Sequence, residues 1–599
     1  TYYVNMSRII QRKNFLGLHT RYPVTKNHPE SAFVAHNMKI TGHGVEPIKG
    51  FSRFGQESPA NLQKIKDAYT FILQDGTQIP VRVRERPASG DNVLEWYSTD
   101  SGRWEILLTG MTQGATTSFQ DYNTSTINQL FFGNGNEYYS VWSGNTTYLT
   151  AALSGGETDV LVNSTAGFPA SGTIIYNGTE IAYSSKTATK FVVASAHASS
   201  DTDDPVAEAV DDATYSGVAL SSILLSAQNR MWVVDAGDPN SLEYSVEGDA
   251  TDWTSGNNRA DAGVEDFPIV GGKITGLANQ DSYIFIFKER TIILFEWQYP
   301  TATTKTPSFK HIVTAGSIGA INHKGIASIY NEILYTAPDG VRSLSRNIAT
   351  NDWNADPISD EIKTTIDGYD FSEAASIYYA KEDVYLVACK SDSDQTNNNK
   401  VIAIWYYVGT DGKRQRGFSI LDWTVDSWFI YNNELYFGSS MEGATYKAFT
   451  GHTRGGAAMR SIYTDNRNDF GAKNLKEAES YLIMGLIAPG TEIDVSFFYD
   501  GGASGSQQIT IDAADDYVQS SAVKTLGAFK LGEQVLGGTL DAVEELRLFT
   551  VIVELQKIQW YDLQVQRICG TKGGYYKIFF EGIINPGEGF DLPQDTLEG

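Results

Sequence analysis

Cysteine is nearly absent from this 599-residue chain: only Cys389 and Cys569 are present, too few for a disulfide framework. Two unpaired buried thiols are the expectation, with a single bridge as the alternative. Long apolar runs are also missing. None approaches the roughly 18 residues a membrane-spanning helix needs, and Thr1-Tyr2-Tyr3-Val4-Asn5 lacks the basic-then-apolar pattern of a signal peptide. Basic residues are in deficit, 46 against 72 acidic, for a formal charge of −26. Tight binding of a phosphate backbone depends on Lys and Arg, so retention of nucleic acid is not expected to be the main task. An acidic wall still lets DNA pass without sticking.

The motifs of familiar chemistry are missing too. The eight histidines (His19, His28, His36, His43, His197, His311, His323 and His452) form no HExxH or other close ligand cluster, and no CxxC exists. His36 and His43 lie seven apart without a third ligand nearby. Asp201, Asp203 and Asp204, the pair Asp211 and Asp212, and Asp512, Asp515 and Asp516 offer hard oxygen ligands. None fits the EF-hand spacing, and solvated loop carboxylates explain them. There is no GxSxG elbow, P-loop or strand-linked GxGxxG; Gly133-Asn134-Gly135-Asn136 reads as a hairpin turn. A glycosidase needs two carboxylates across a groove, and sequence pairs neither Asp235 nor Asp238 with a partner. No catalytic, cofactor-binding or metal-ligating residue is therefore assigned, and the chain is expected not to be an enzyme.

What is abundant is the material of sheets. Tyr numbers 33, Phe 28, Trp 11 and Gly 56. Aromatics suit pleated, half-buried surfaces, and glycines suit the turns between short strands. A polar turn followed by an aromatic or aliphatic strand recurs, beginning at Asp67, Asn128, Asn229, Asp281, Asn331, Glu382 and Asn432, at intervals of 61, 101, 52, 50, 51 and 50 residues. A repeat near 50 with several short strands per unit is the signature of a propeller blade, because one such sheet cannot bury both faces alone. The doubled interval contains an excess with its own pattern: Thr158 to Val162, Thr165-Ala166-Gly167-Phe168-Pro169, and strands around Asn177-Gly178, the strongest two-residue hairpin turn. After Phe449 the repeat stops and alternating strands such as Ile493 to Tyr499 favour a sandwich. One short helix is expected around Leu475 to Ser480, and the end from Pro586 onward reads as irregular.

The expected fold is all-β: a β-propeller of six or seven blades with an inserted small β domain and a C-terminal, β-sandwich-like platform. The boundaries are an N-terminal arm at 1–60, the first part of the propeller at 61–148, the insert at 149–208, the rest of the propeller at 209–450 and the platform at 451–599. The run Ala236-Gly237-Asp238-Pro239-Asn240 through Trp253 reads physically as turn, strand, turn, with Trp253 available to cap a blade.

That same run resembles the turn–strand–turn of propeller-containing tail proteins of tailed bacteriophages. The arm from Gly17 to Gly50 and the insert segments Thr165 to Pro169 and Tyr176 to Glu180 are similar to parts of such proteins. Within that group the chain looks most like the nozzle, or tail tubular protein B, of short-tailed phages. The resemblance implies a virion tail protein and a homohexameric ring. It also implies adaptor or portal-proximal partners, attached fibres or spikes, and transient passage of double-stranded DNA. Two other readings stay open: a baseplate hub, tail-tip or fibre protein touching host-surface glycan, and a propeller lectin or glycan-active enzyme.

Overall fold

The computed structural model describes residues 9–584 apart from breaks, the longest being 57–63, 195–201, 299–305, 469–479, 520–546 and 556–562. The fold is all-β and of propeller type. The strands Ile65–Ile72, Ser118–Asn123, Leu224–Ala227, Ile274–Gln280, Ile326–Ile329, Asp370–Tyr379 and Val425–Tyr431 each begin a sheet. Each of these first strands touches the next, and Val425–Tyr431 returns to Ile65–Ile72, closing the cycle. In each sheet the next two or three strands follow from it antiparallel and in chain order.

Tight hairpins join the first strand of a sheet to its second. Gln228 and Asn229 (φ +55° and +58°), and Asn432 and Asn433 (φ +49° and +60°), take the left-handed conformation that type I′ turns require. The recurring polar marker is thus a turn and the strand after it the second strand of a sheet, as in Arg230–Val234, Glu332–Ala337 and Glu434–Ser439. Asp67 is the exception, because it lies in a first strand. The corresponding second strand is Gln78–Arg86, opening 50 residues before Asn128. Pro80 and three arginines hide it from a pattern based on aromatics, which explains the irregular interval of 61.

The segment 146–208 forms its own six-stranded sheet, in the order Thr146–Tyr148, Pro205–Glu208, Gly172–Tyr176, Thr179–Thr187, Lys190–Val193 and Asp159–Leu161. A bridge between Leu149 and Val162 links its two ends around a separate core that includes Ile174, Phe191 and Val206. Phe168 packs edge-on to Phe191 at 5.0 Å. Tyr176 pairs with Thr179 across the expected hairpin; Asn177 itself lies outside the described residues.

The N-terminal arm does two jobs. Phe51–Arg53 pairs with Thr445–Ala448 as an outer strand of the last sheet, so the earliest and latest parts of the cycle are joined by main-chain hydrogen bonds. Ala32–His36 lies parallel to Arg414–Leu421 and antiparallel to Ser461–Asp465. It thereby splices the sheet that begins at Asp370 to C-terminal strands, making one nine-stranded sheet. A second C-terminal sheet contains Ser480–Ile487, Arg547–Glu554 and Tyr576–Ile584, together with the arm strands Met38–Ile40 and Val45–Pro47. The two C-terminal sheets pack face to face, with Tyr481 edge-on to Phe497 at 5.3 Å. One hydrophobic core runs from arm to propeller to platform, through Phe15, Phe51, Trp405, Trp423, Tyr463 and Phe497.

A charged group sits inside that sandwich. Arg567, Glu581 and Tyr481 are buried between the layers. Arg567 Nε donates to Glu581 Oε1 at 2.6 Å, a second nitrogen reaches Asp465 Oδ2 at 3.0 Å, and the Tyr481 hydroxyl donates to Glu581 Oε2 at 3.1 Å. Residues 475–479 of the short helix expected at Leu475 to Ser480, and the segment from Pro586, lie outside the described residues, while Ser480 opens a strand. Among the described residues, no helix is long and apolar enough to cross a membrane. Cys389 and Cys569 are both buried and unbridged.

Candidate functional site: the axial cavity

The first strands converge on a cavity of about 390 Å³ on the propeller axis, which takes a residue from the start of every one of these sheets or from just before it. Register irregularities supply the aim. Pairing slips between Ile65 and Asp67, between Ile274 and Gly276, between Asp370 and Ala375, and between Val425 and Ser427. Such bulges kink a strand and redirect a side chain. Here the redirected residues include Lys66, Thr275, Glu373 and Asp426, all of which line the cavity.

These groups form a network that crosses sheet boundaries. Lys324 Nζ lies 2.8 Å from Asp67 Oδ1 and donates to the Lys66 carbonyl at 2.7 Å. Lys66 Nζ and Lys390 Nζ each reach Glu373 at 3.3 Å, and Lys64 Nζ stands 3.9 Å from Asp426 Oδ2. Asp426 Oδ1 accepts from Asn398 at 3.1 Å. Burial pushes the Glu373 carboxyl up, but Lys66, Lys64 and Lys390 overcome that and hold it below the usual range. At Asp426 burial wins over Lys324, Lys64 and Lys66, and its pKa is raised. The cavity therefore holds one carboxyl biased toward its protonated form and another held ionised. His323 is kept neutral by burial, its pKa lowered to about 4. Its Nδ1 accepts from the Leu277 N–H at 3.3 Å, which ties the segment leading into Ile326–Ile329 to the neighbouring strand Ile274–Gln280.

Of the carboxylates weighed from sequence, Asp235 reaches the cavity lining, whereas Asp238 serves its own turn by accepting from the Asn240 N–H at 3.1 Å. Trp253 is buried among Phe131, Val141 and Met231, between two sheets. Burial lowers the pKa of His36 beside Asp422. Among the described residues no group of three or more His, Cys, Asp or Glu could hold a metal. Asp204 is engaged by the Tyr176 hydroxyl at 2.9 Å and Asp512 caps the Ala514 N–H at 2.9 Å, while Asp201, Asp212, Asp515 and Asp516 lie outside the described residues. Sequence reasoning missed the axial cluster. Its one signal was a charged residue at the opening of an apolar strand, as at Lys66-Asp67 and Asp426.

No family model matches the chain, and no curated protein matches it. Solved structures similar to it include an exo-β-1,3-galactanase from Phanerochaete chrysosporium with galactose, at 9% identity and a TM-score of 0.20, covering 60% of this chain and 94% of that one. They also include Hsv2 from Kluyveromyces lactis, at 6% identity and a TM-score of 0.25, covering 60% and 98%. The expectation that the chain is not an enzyme is corrected here, since a glycoside hydrolase stands among these matches. A likeness this shallow assigns no activity to this chain.

Proposed function

We propose that the chain is a structural component of a bacteriophage tail: one subunit of a hexameric ring or nozzle in the virion, with a central channel for double-stranded DNA. Adaptor or portal-proximal tail proteins would sit against it, and fibres or spikes would attach at its periphery. The observation that carries this reading is the splice made by the N-terminal arm. A nine-stranded sheet continues from propeller to platform, and a single core runs beneath it. A body built this way resists bending between its parts, as a ring that holds a pressurised channel must.

The charge of −26 supports the same reading, because an electronegative wall discourages adhesion of a passing duplex. Such a ring needs a head-to-tail interface whose rotation closes. The test is electron imaging of the protein in its native particle together with native mass measurement. A six-fold ring below a portal is the expected result. A monomer in the particle, or three-fold placement at a distal tip, rejects it.

A further inference from the structure

We propose that the groove between the N-terminal arm and the sheets that begin at Ile326 and Asp370 is a binding site for a neutral oligosaccharide, with Tyr330 as its stacking platform. The groove has a volume of about 550 Å³, within the range of small-ligand sites. Tyr406, Tyr407, Arg414, Arg416, Glu332 and Glu361 line it, with Arg416 and Glu361 paired at 3.6 Å. The Arg414 guanidinium lies 4.0 Å from the Tyr406 ring centroid and 4.3 Å from that of Tyr330, so it is held between two aromatic faces. It also pairs with Asp383 at 2.8 Å.

Tyr330 is the unusual member. It is 67% exposed, yet its orientation is fixed by Arg414 and by its hydroxyl, 2.8 Å from that of Tyr378. Its φ of +47° is the left-handed conformation of a hairpin turn. The matching turns of other sheets fill that position with Gln228-Asn229 and Asn432-Asn433. Tyrosine costs on the order of 1 kcal/mol more than asparagine there, a cost offset by its contacts with Arg414 and with Tyr378, whose ring centroid lies 5.6 Å away. Backbone strain kept at an exposed, immobilised aromatic marks a contact surface.

The surrounding chemistry selects the ligand. A flat ring next to a groove offers its face to the C–H face of a pyranose. Guanidinium, carboxylate and the Gln415 amide supply the paired donors and acceptors that sugar hydroxyls use. The charges balance, Arg414 and Arg416 against Glu332 and Glu361, so no net charge is demanded of the ligand. The two carboxylates, and the acidic chain as a whole, disfavour a phosphate-bearing strand stacked on the tyrosine.

The experiment screens the full-length protein, Tyr330→Asn and Tyr330→Phe on an array of neutral oligosaccharides, followed by titration calorimetry on the best ligand. Tyr330→Asn restores the preferred turn residue, so it should fold with an unchanged or higher melting temperature and bind at least tenfold more weakly. Tyr330→Phe keeps the ring and should retain binding within about threefold. Identical profiles for wild type and Tyr330→Asn, whether empty or full, overturn the proposal. So does a Tyr330-dependent interaction seen only with single-stranded nucleic acid or only with a second copy of the chain.

Discussion

Replacing Arg567 with methionine tests whether the platform's two layers are held in register by a buried charge. The guanidinium is fully buried and meets Glu581, also fully buried, and Asp465, nearly so. Methionine has a similar reach, so little cavity is left, but two carboxylates lose their counterion inside the sandwich. Removing one partner of a buried ion pair costs about 3–5 kcal/mol, against a total of roughly 5–15 kcal/mol for a native domain. Neutralising Glu581 as well should recover part of the loss. Glutamine fits there because its carbonyl can still accept from the Tyr481 hydroxyl, now 3.1 Å from Glu581 Oε2. Arg567→Met/Glu581→Gln should therefore be less destabilised than the sum of the single changes, with a coupling of about 2 kcal/mol. Urea unfolding followed by tryptophan fluorescence and by circular dichroism, on all four proteins, measures it. A loss below about 1 kcal/mol for Arg567→Met, or additive effects, would refute the claim that this cluster sets the platform's packing.

Three other outcomes follow from the structure. Burial pushes the Asp121 carboxyl up to about 7, against smaller opposing hydrogen bonds from the Ile72 N–H and Tyr69. Its folded pKa lies above its unfolded one, so its contribution is complete below about pH 4 and is lost as pH rises through 7; Asp121→Asn should raise the melting temperature at pH 8 but not at pH 4.5, and equal shifts at both argue against this. Phe51 meets Trp423, Phe437 and Tyr446 edge-on at 5.6, 5.1 and 4.9 Å. Phe51→Ala should cost about 3–5 kcal/mol, and hydrogen exchange should accelerate first in 51–53 and 445–448; uniform acceleration would speak against a closing role. Cys389 and Cys569 should react with a thiol reagent only after denaturant is added, since both are buried; rapid labelling of the native protein contradicts that.

The repeat near 50 residues was readable because the hairpin after each first strand needs residues that tolerate positive φ, and Asn229 and Asn432 announce it. Phase was misread only at Asp67, where the following strand carries arginines in place of aromatics. Arg567 had a local signal: Leu563, Val565, Arg567 and Cys569 alternate toward the buried face of one strand, which places a charge inside. The axial cavity had almost none, since Lys66, His323, Glu373 and Asp426 come from distant parts of the chain and meet only through bulges and ring closure. The arm's splice into a nine-stranded sheet was equally hidden. A three-residue strand such as Phe51–Arg53 carries no mark of a partner nearly 400 residues away.

That last pairing sets a clock on biosynthesis. Phe51–Arg53 leaves the ribosome early, and its partner Thr445–Ala448 is made only after the intervening chain. At roughly 5–20 residues per second the wait is on the order of 20–80 s. Throughout it the first sheets lack their neighbours and the arm lacks a surface to lie on. The circle is completed late, by a latch synthesised first. Shortening the chain from either end would leave a partly wound ring with open strand edges, the kind of surface that seeds aggregation.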